Sequence, residues 1–340
     1  MPDPASGSTE PAASAPGLGA DVRRRTVSHD GVDLAVLDAG AGFPVVLAHG
    51  FPELAYSWRH QLSALATAGC WVLAPDQRGY GRSTRPEAIE DYDIAHLTGD
   101  LLALLDDIDE ERAVFVGHDW GALVVWQLAL LAPERVAGVV GMSVPFLPRG
   151  TMPPTQLMRQ VMGDSFFYIL YFQEPGVADA DLGRDPVATM TRMLAGLRLV
   201  DGAAPDPSLM AADDGRGFVD RLPQPGELPD WLSQAELDHY IAEFTHTGFT
   251  GGINWYRNLD RNWELTKHLT GAKVAPPALF VGGSADPVLL MSPPAMMDGW
   301  LDDPRGVVLV EGAGHWVQQE KPGEVNAALL DFIAAVREGR

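Results

Sequence analysis

The chain has 340 residues, 46% of them hydrophobic, and a formal net charge of −22 from 46 acidic and 24 basic side chains. That length and apolar content suffice for a substantial core in one or two domains, while the acidic balance speaks against nucleic-acid or anionic-membrane partners. A single cysteine, Cys70, excludes an intrachain disulfide.

Residues 1–20 are rich in Pro, Ala, Ser and Gly without an apolar run and read as a disordered tail. They lack the basic start and apolar centre of a secretory signal. No later segment is long and apolar enough to span a membrane, so a cytoplasmic location is expected. Arg23–Thr26 and Val32–Leu37 read as a hairpin around His29-Asp30-Gly31. Val45–Ala48 and Trp71–Pro75 read as strands, Leu97–Leu105 as an apolar helix and Ala113–Val116 as a short buried strand. An apolar helix follows over Ala122–Leu131, then a strand over Val136–Met142. From 147 to 268 the pattern turns helical and rich in Met and aromatics, and strands return at Pro277–Val281 and Gly306–Val310. This alternation implies a mostly parallel eight-stranded α/β sheet flanked by helices. The sheet core is expected over 21–146 and 269–340, with 147–268 inserted as a helical lid above the strand ends.

Gly117-His118-Asp119-Trp120-Gly121 joins a buried strand to an apolar helix. A strand, a Gly-x-nucleophile-x-Gly turn and a helix form the nucleophile elbow of the α/β-hydrolase fold. Here the nucleophile position holds Asp119 rather than serine. A carboxyl group with a reference pKa of about 3.9 is an anion at neutral pH and needs no base to attack. It can alkylate itself at an epoxide carbon or a carbon bearing halide, and the resulting ester has a carbonyl that water can cleave. Serine attacking the same carbon would leave an inert ether.

The partners follow in the order nucleophile, acid, histidine. Asp286 lies in the loop after the 277–281 strand, and His315 follows the 306–310 strand. His315 is expected to activate water, with Asp286 fixing its tautomer and stabilising the imidazolium. The 45–48 strand runs into His49-Gly50-Phe51-Pro52-Glu53. The N–H groups of Phe51 and Trp120 are therefore expected to form an oxyanion hole. His118 points away from Asp119, since neighbours in a strand alternate sides, and reads as structural. Asp76, Arg78 and Arg82 read as a polar network beneath the 49–53 loop.

The chain resembles the epoxide hydrolases of the α/β-hydrolase superfamily, above all the hydrolase domain of soluble epoxide hydrolases. The resemblance rests on HGFPE at 49–53, DQRGYGRS at 76–83, GHDWGA at 117–122, YFQEPGVAD at 171–179, NWYRN at 254–258 and GHW at 314–316. It implies two lid tyrosines that donate to the epoxide oxygen, falling on Tyr168 and Tyr256, with Tyr171 as the competitor for Tyr168. A phenol stays protonated at neutral pH and suits that role. A substrate pocket is expected from Phe51, Trp120, Phe166, Phe172, Val288 and Trp316, suited to a small lipophilic epoxide. No metal-ligand cluster or phosphate loop is present in the sequence, and no cofactor is expected. A homodimer is compatible with the resemblance. Two alternatives share parts of this pattern: a haloalkane or haloacid dehalogenase with the same nucleophile, and a non-catalytic receptor for a small ligand. The aromatic Phe51 after His-Gly and the paired tyrosines favour the epoxide.

Overall fold

Val45 to Ala48 and Ala113 to His118 are buried at every position, as strands covered on both faces must be. They occupy the middle of a sheet in a computed structural model that describes residues 10–11, 15–196 and 214–339. Its strands are β1 (Glu10–Pro11), β2 (Arg23–His29), β3 (Val32–Gly40), β4 (Phe43–Ala48), β5 (Cys70–Pro75), β6 (Ala113–His118), β7 (Val136–Met142), β8 (Val274–Gly283) and β9 (Leu301–Val310). The order is β1-β2-β3-β5-β4-β6-β7-β8-β9. The β1–β2, β2–β3 and β3–β5 pairs are antiparallel, and every pair from β5–β4 to β8–β9 is parallel.

The eight expected strands are β2 to β9, with β1 adding a two-residue edge. Within the expected tail, the described residues 15–20 are anchored. The Pro16 carbonyl accepts from the Tyr56 hydroxyl, and Ala15 and Leu18 pack against the core. Glu10–Pro11 form β1 against β2, and residues 1–9 and 12–14 of that tail lie outside the described ones.

Alternation of side chains along each strand splits the core in two. On one face Val45, Leu47, Val114 and Val116 meet Leu62 and Leu65 of α1 (Arg59–Thr67) and Leu329 and Ile333 near the C-terminus. On the other, Val46, Ala48 and Phe115 meet Leu101 and Leu104 of α2 (Ile94–Asp107) and Val124, Val125 and Leu128 of α3 (Trp120–Leu131). Neither α1 nor the C-terminal helix was among the sequence expectations.

Between β7 and β8 the chain forms α4 (Pro154–Met162), α5 (Tyr168–Tyr171), α6 (Val177–Arg184), α7 (Pro186–Gly196), α8 (Phe218–Arg221), α9 (Gln234–Thr247), α10 (Thr250–Arg257) and α11 (Leu259–Leu265). These helices fall inside the stretch expected as a lid, of which 197–213 lies outside the described residues. The chain closes with α12 (Val288–Met291), α13 (Val317–Glu320) and α14 (Pro322–Arg337). No helix among the described residues is long and apolar enough to cross a membrane.

β4 and β6 are neighbours although β5 lies between them in sequence. The chain therefore leaves these two strands in opposite directions, opening a crevice at their carboxyl ends where open α/β sheets place ligands. The glycines at that crevice hold it tight. A Cβ on Gly121 would lie 2.0 Å from the Ala48 carbonyl oxygen, and one on Gly117 would lie 2.1 Å from that of Gly121. Gly121→Ala is expected to destabilise the fold by about 3 kcal/mol or more through backbone overpacking, read as a lowered urea midpoint.

Candidate active site

Asp119 links β6 to α3 with φ 52° and ψ −117°. A left-handed φ at a non-glycine residue costs about 1–3 kcal/mol and persists only where the surroundings enforce it. Here Gly50, Gly117 and Gly121 make room for the turn, since a Cβ on any of them would collide with backbone or with Asp119. The strained turn aims the carboxylate at the β4 loop. Phe51 N–H donates to Asp119 Oδ1 at 2.8 Å, and the Phe51–Pro52 peptide is cis. Burial opposes the carboxylate's charge, but the His315 ring and the Phe51 N–H outweigh it and hold its pKa below the usual range.

His315 Nε2 lies 3.6 Å from Asp119 Oδ2. Its Nδ1 faces both Asp286 oxygens, at 3.2 and 3.1 Å. Burial disfavours the imidazolium, yet the Asp286 and Asp119 carboxylates prevail and raise its pKa well above the usual value. Asp286 is held in turn by the Val288 N–H, which donates to Oδ1 at 2.9 Å. Val288 therefore supports the acid through its backbone.

Aromatic rings enclose the carboxylate. Tyr256 on α10 meets Trp120 at 4.9 Å, Phe51 at 5.5 Å, Phe172 at 5.1 Å and Tyr168 at 5.9 Å between centroids. Burial, the neighbouring phenol of Tyr168 and the Asp119 charge push the Tyr256 phenol well above its ordinary pKa. Burial and Asp119 raise that of Tyr168 as well. Both therefore remain donors. Tyr171 instead packs on Phe166 at 5.3 Å. Phe166 also carries the Arg221 guanidinium over its face, 4.1 Å from the ring centroid, so it packs among the inserted helices rather than in the ring cluster around Asp119. Trp316 stands edge-on to the His315 ring at 4.7 Å, and its Nε1 donates to the Met193 carbonyl at 3.3 Å.

The chain as a whole has counterparts among known proteins. A model described as the alpha/beta hydrolase fold matches residues 44–322. Epoxide hydrolase A of Mycobacterium tuberculosis is 60% identical over 314 residues, which are 92% of this chain and 97% of that protein. The chain belongs to the epoxide hydrolase family. The crystal structure of Epoxide Hydrolase A from Mycobacterium thermoresistibile superposes with a TM-score of 0.88 at 59% identity, covering 92% of this chain and 98% of that one. Bifunctional epoxide hydrolase 2 of Mus musculus is 38% identical over 89% of this chain and 54% of its own length.

Behind the enzyme's histidine lies a buried polar network that sequence reasoning did not assemble. His118 Nε2 donates to the His315 carbonyl at 2.8 Å, and Ser143 Oγ donates to the same oxygen at 2.9 Å. His118 Nδ1 faces Glu53 Oε2 at 2.6 Å. Glu53 also receives the Gly50 N–H at 2.8 Å and the side-chain amides of Gln318 and Gln319 at 2.9 and 3.3 Å. Burial opposes ionisation of Glu53, but His118 and the Gly50 N–H hold its pKa below the usual range. His118 thus turns its back on the nucleophile, as strand alternation implied. The legible signals were the Glu53 in HGFPE and the His before the nucleophile. Nothing local marks Ser143, Gln318 or Gln319.

Asp76 accepts from the N–H groups of Ala55 and Arg82, while Arg78 pairs with Asp100 rather than with Asp76. Among the described residues no cluster of three or more His, Cys, Asp or Glu side chains is arranged to hold a metal ion.

Because the folded pKa of His315 is raised, its ionisation adds stability in full below the unfolded pKa. That contribution is lost as pH rises through the folded value. Asp286→Asn removes a carboxylate that favours the imidazolium, so the His315 titration is expected to move downward in pH, as read from its imidazole NMR signals.

Proposed function

We propose that Asp119 opens the epoxide ring and that His315 and Asp286 direct hydrolysis of the resulting ester. A carboxylate oxygen of Asp119 bonds to a ring carbon as that carbon's bond to oxygen breaks. The phenols of Tyr168 and Tyr256 donate to the leaving oxygen, which takes a phenol proton and becomes the first hydroxyl of the diol, and the proton that His315 gives up restores the phenol. Alkylation also neutralises Asp119. That removes one of the two carboxylates that stabilise the His315 imidazolium, so the ring becomes a competent base after the ester forms.

Water then attacks the ester carbonyl while His315 takes its proton, and Asp286 stabilises the imidazolium. The N–H groups of Phe51 and Trp120 receive the tetrahedral oxyanion. Its collapse expels the ester oxygen, which takes the imidazolium proton to complete the vicinal diol, and the acid proton left on Asp119 passes to His315, restoring the carboxylate. The observation that carries this reading is the geometry of the Asp119 carboxylate, with Phe51 N–H on one oxygen at 2.8 Å and His315 Nε2 3.6 Å from the other. The aromatic enclosure supports lipophilic epoxides as substrates, with Phe51, Trp120, Phe172 and Trp316 as its walls. The inserted helices act as the lid. A cytoplasmic location and a homodimer complete the proposal, to be tested by fractionation and by sedimentation.

Intact-protein mass spectrometry of His315→Gln after mixing with an aryl epoxide is expected to show an adduct of the whole epoxide mass. The adduct should be absent when Asp119→Ala is added. An adduct from haloalkanes alone, lacking the halide, would overturn the assignment. Tyr256→Phe is expected to slow formation of the alkyl-enzyme by about 10²-fold, within the range for loss of one general acid, as measured by rapid quench.

A further inference from the structure

α10 carries Tyr256, and two adjacent faces of this helix meet the core in different ways. Gly251 and Trp255 are four residues apart and share one face. A Cβ on Gly251 would lie 2.2 Å from the Gly79 carbonyl oxygen and 2.7 Å from the Gly79 Cα. The helix backbone therefore rests directly on the loop after β5. Beside that contact, Trp255 Nε1 donates to the Arg78 carbonyl at 3.1 Å. Gly252 and Tyr256 form the neighbouring face, which looks into the site. A Cβ on Gly252 would lie 2.6 Å from the Phe51 ring, and the Tyr256 ring stands 5.5 Å from that of Phe51.

The loop that supports the helix is itself fixed. The buried Arg78 binds both oxygens of Asp100 on α2, at 2.9 and 2.7 Å, and donates to the Asp91 carbonyl at 3.0 Å. At the far end of α10, Asn258 Nδ2 donates to the Ile89 carbonyl at 2.6 Å.

We infer that the contact of Gly251 with Gly79, together with the Trp255–Arg78 hydrogen bond, sets the depth of α10 and so places the Tyr256 hydroxyl against the reacting oxygen. Gly251, Trp255 and Arg78 are positioning residues for ring opening. None of the three is among the groups that hydrogen-bond the Asp119 carboxylate. The inference rests on the donor role proposed for Tyr256. Its physical basis is the steep dependence of catalysis on placement, where a displacement near 1 Å costs about 100-fold.

The test is single-turnover rapid quench on the full chain with styrene oxide, reading formation and cleavage of the alkyl-enzyme separately. Alanine is the better helix former, so Gly251→Ala strains the seat without weakening the helix itself. It is expected to slow alkylation by roughly 10- to 100-fold and to leave ester cleavage unchanged. In a Tyr256→Phe background the same substitution should have little further effect, because the group it displaces is gone. A purely structural role would slow both steps and persist in that background, and either result would overturn the inference. Unchanged alkylation in Gly251→Ala, with Tyr256→Phe still slow, would defeat the seat alone. If Tyr256→Phe by itself were fast, the donor role and the inference would fall together. Trp255→Phe, which keeps a ring but loses the N–H, should slow alkylation in the same selective way and serves if the alanine variant does not fold.

Discussion

An ionised carboxylate inside an aromatic enclosure is the constraint around which this molecule is arranged. Burying an unpaired charge costs several kcal/mol, yet a protonated Asp119 would be no nucleophile. The charge is met by one backbone N–H from Phe51 and by the His315 ring. Both compensations demand that loops after three different strands converge at one point. The glycines at positions 50, 117 and 121 allow that convergence, because any side chain there would collide with backbone or with Asp119 itself. The strained φ at Asp119 follows from the same crowding.

The histidine must satisfy two demands at once, and the network behind it serves both. Asp286 orients the ring from one side, while His118 and Ser143 grip the backbone carbonyl of His315. Glu53 ties His118 to the N–H of Gly50, so the loop carrying Phe51 and the loop carrying His315 share one buried anchor. Polar groups at this depth are costly unless paired, and Glu53, His118 and Ser143 each find a partner within this network. The inserted helices are joined to this frame through backbone contact at Gly79 and Gly251 and through the Arg78–Asp100 pair. These contacts join the helix that carries Tyr256 to the sheet that carries Asp119.

Much of this was legible in the chain. The buried strands announced themselves as short apolar runs, and the elbow was local enough for its strand, turn and helix to be read from one continuous stretch, residues 113–131. The helices α1 and α14 escaped notice because their surfaces are mixed, with only a few positions, such as Leu62, Leu65, Leu329 and Ile333, reaching the core. Phe166 shows where local pattern runs out. An aromatic residue in an aromatic segment reads as pocket, but the side of the helical insertion it faces depends on Arg221 and Tyr171. The choice of Tyr168 over Tyr171 as the ring beside Tyr256 was equally a matter of rotation about a four-residue helix.

What the sequence determined by itself was the type of chemistry: an aspartate at the elbow, followed in order by an acid and a histidine, each after a strand. Residue identity and short-range pattern carry that information, since a carboxylate attacks carbon differently from a hydroxyl wherever it is placed. Only the tertiary structure decided what supports the reaction. Glu53 and Gln318 are 265 residues apart, and Trp255 and Arg78 are 177 apart. Such pairs meet because the sheet order and the packing of the inserted helices bring them together, and no local propensity encodes a contact over that separation.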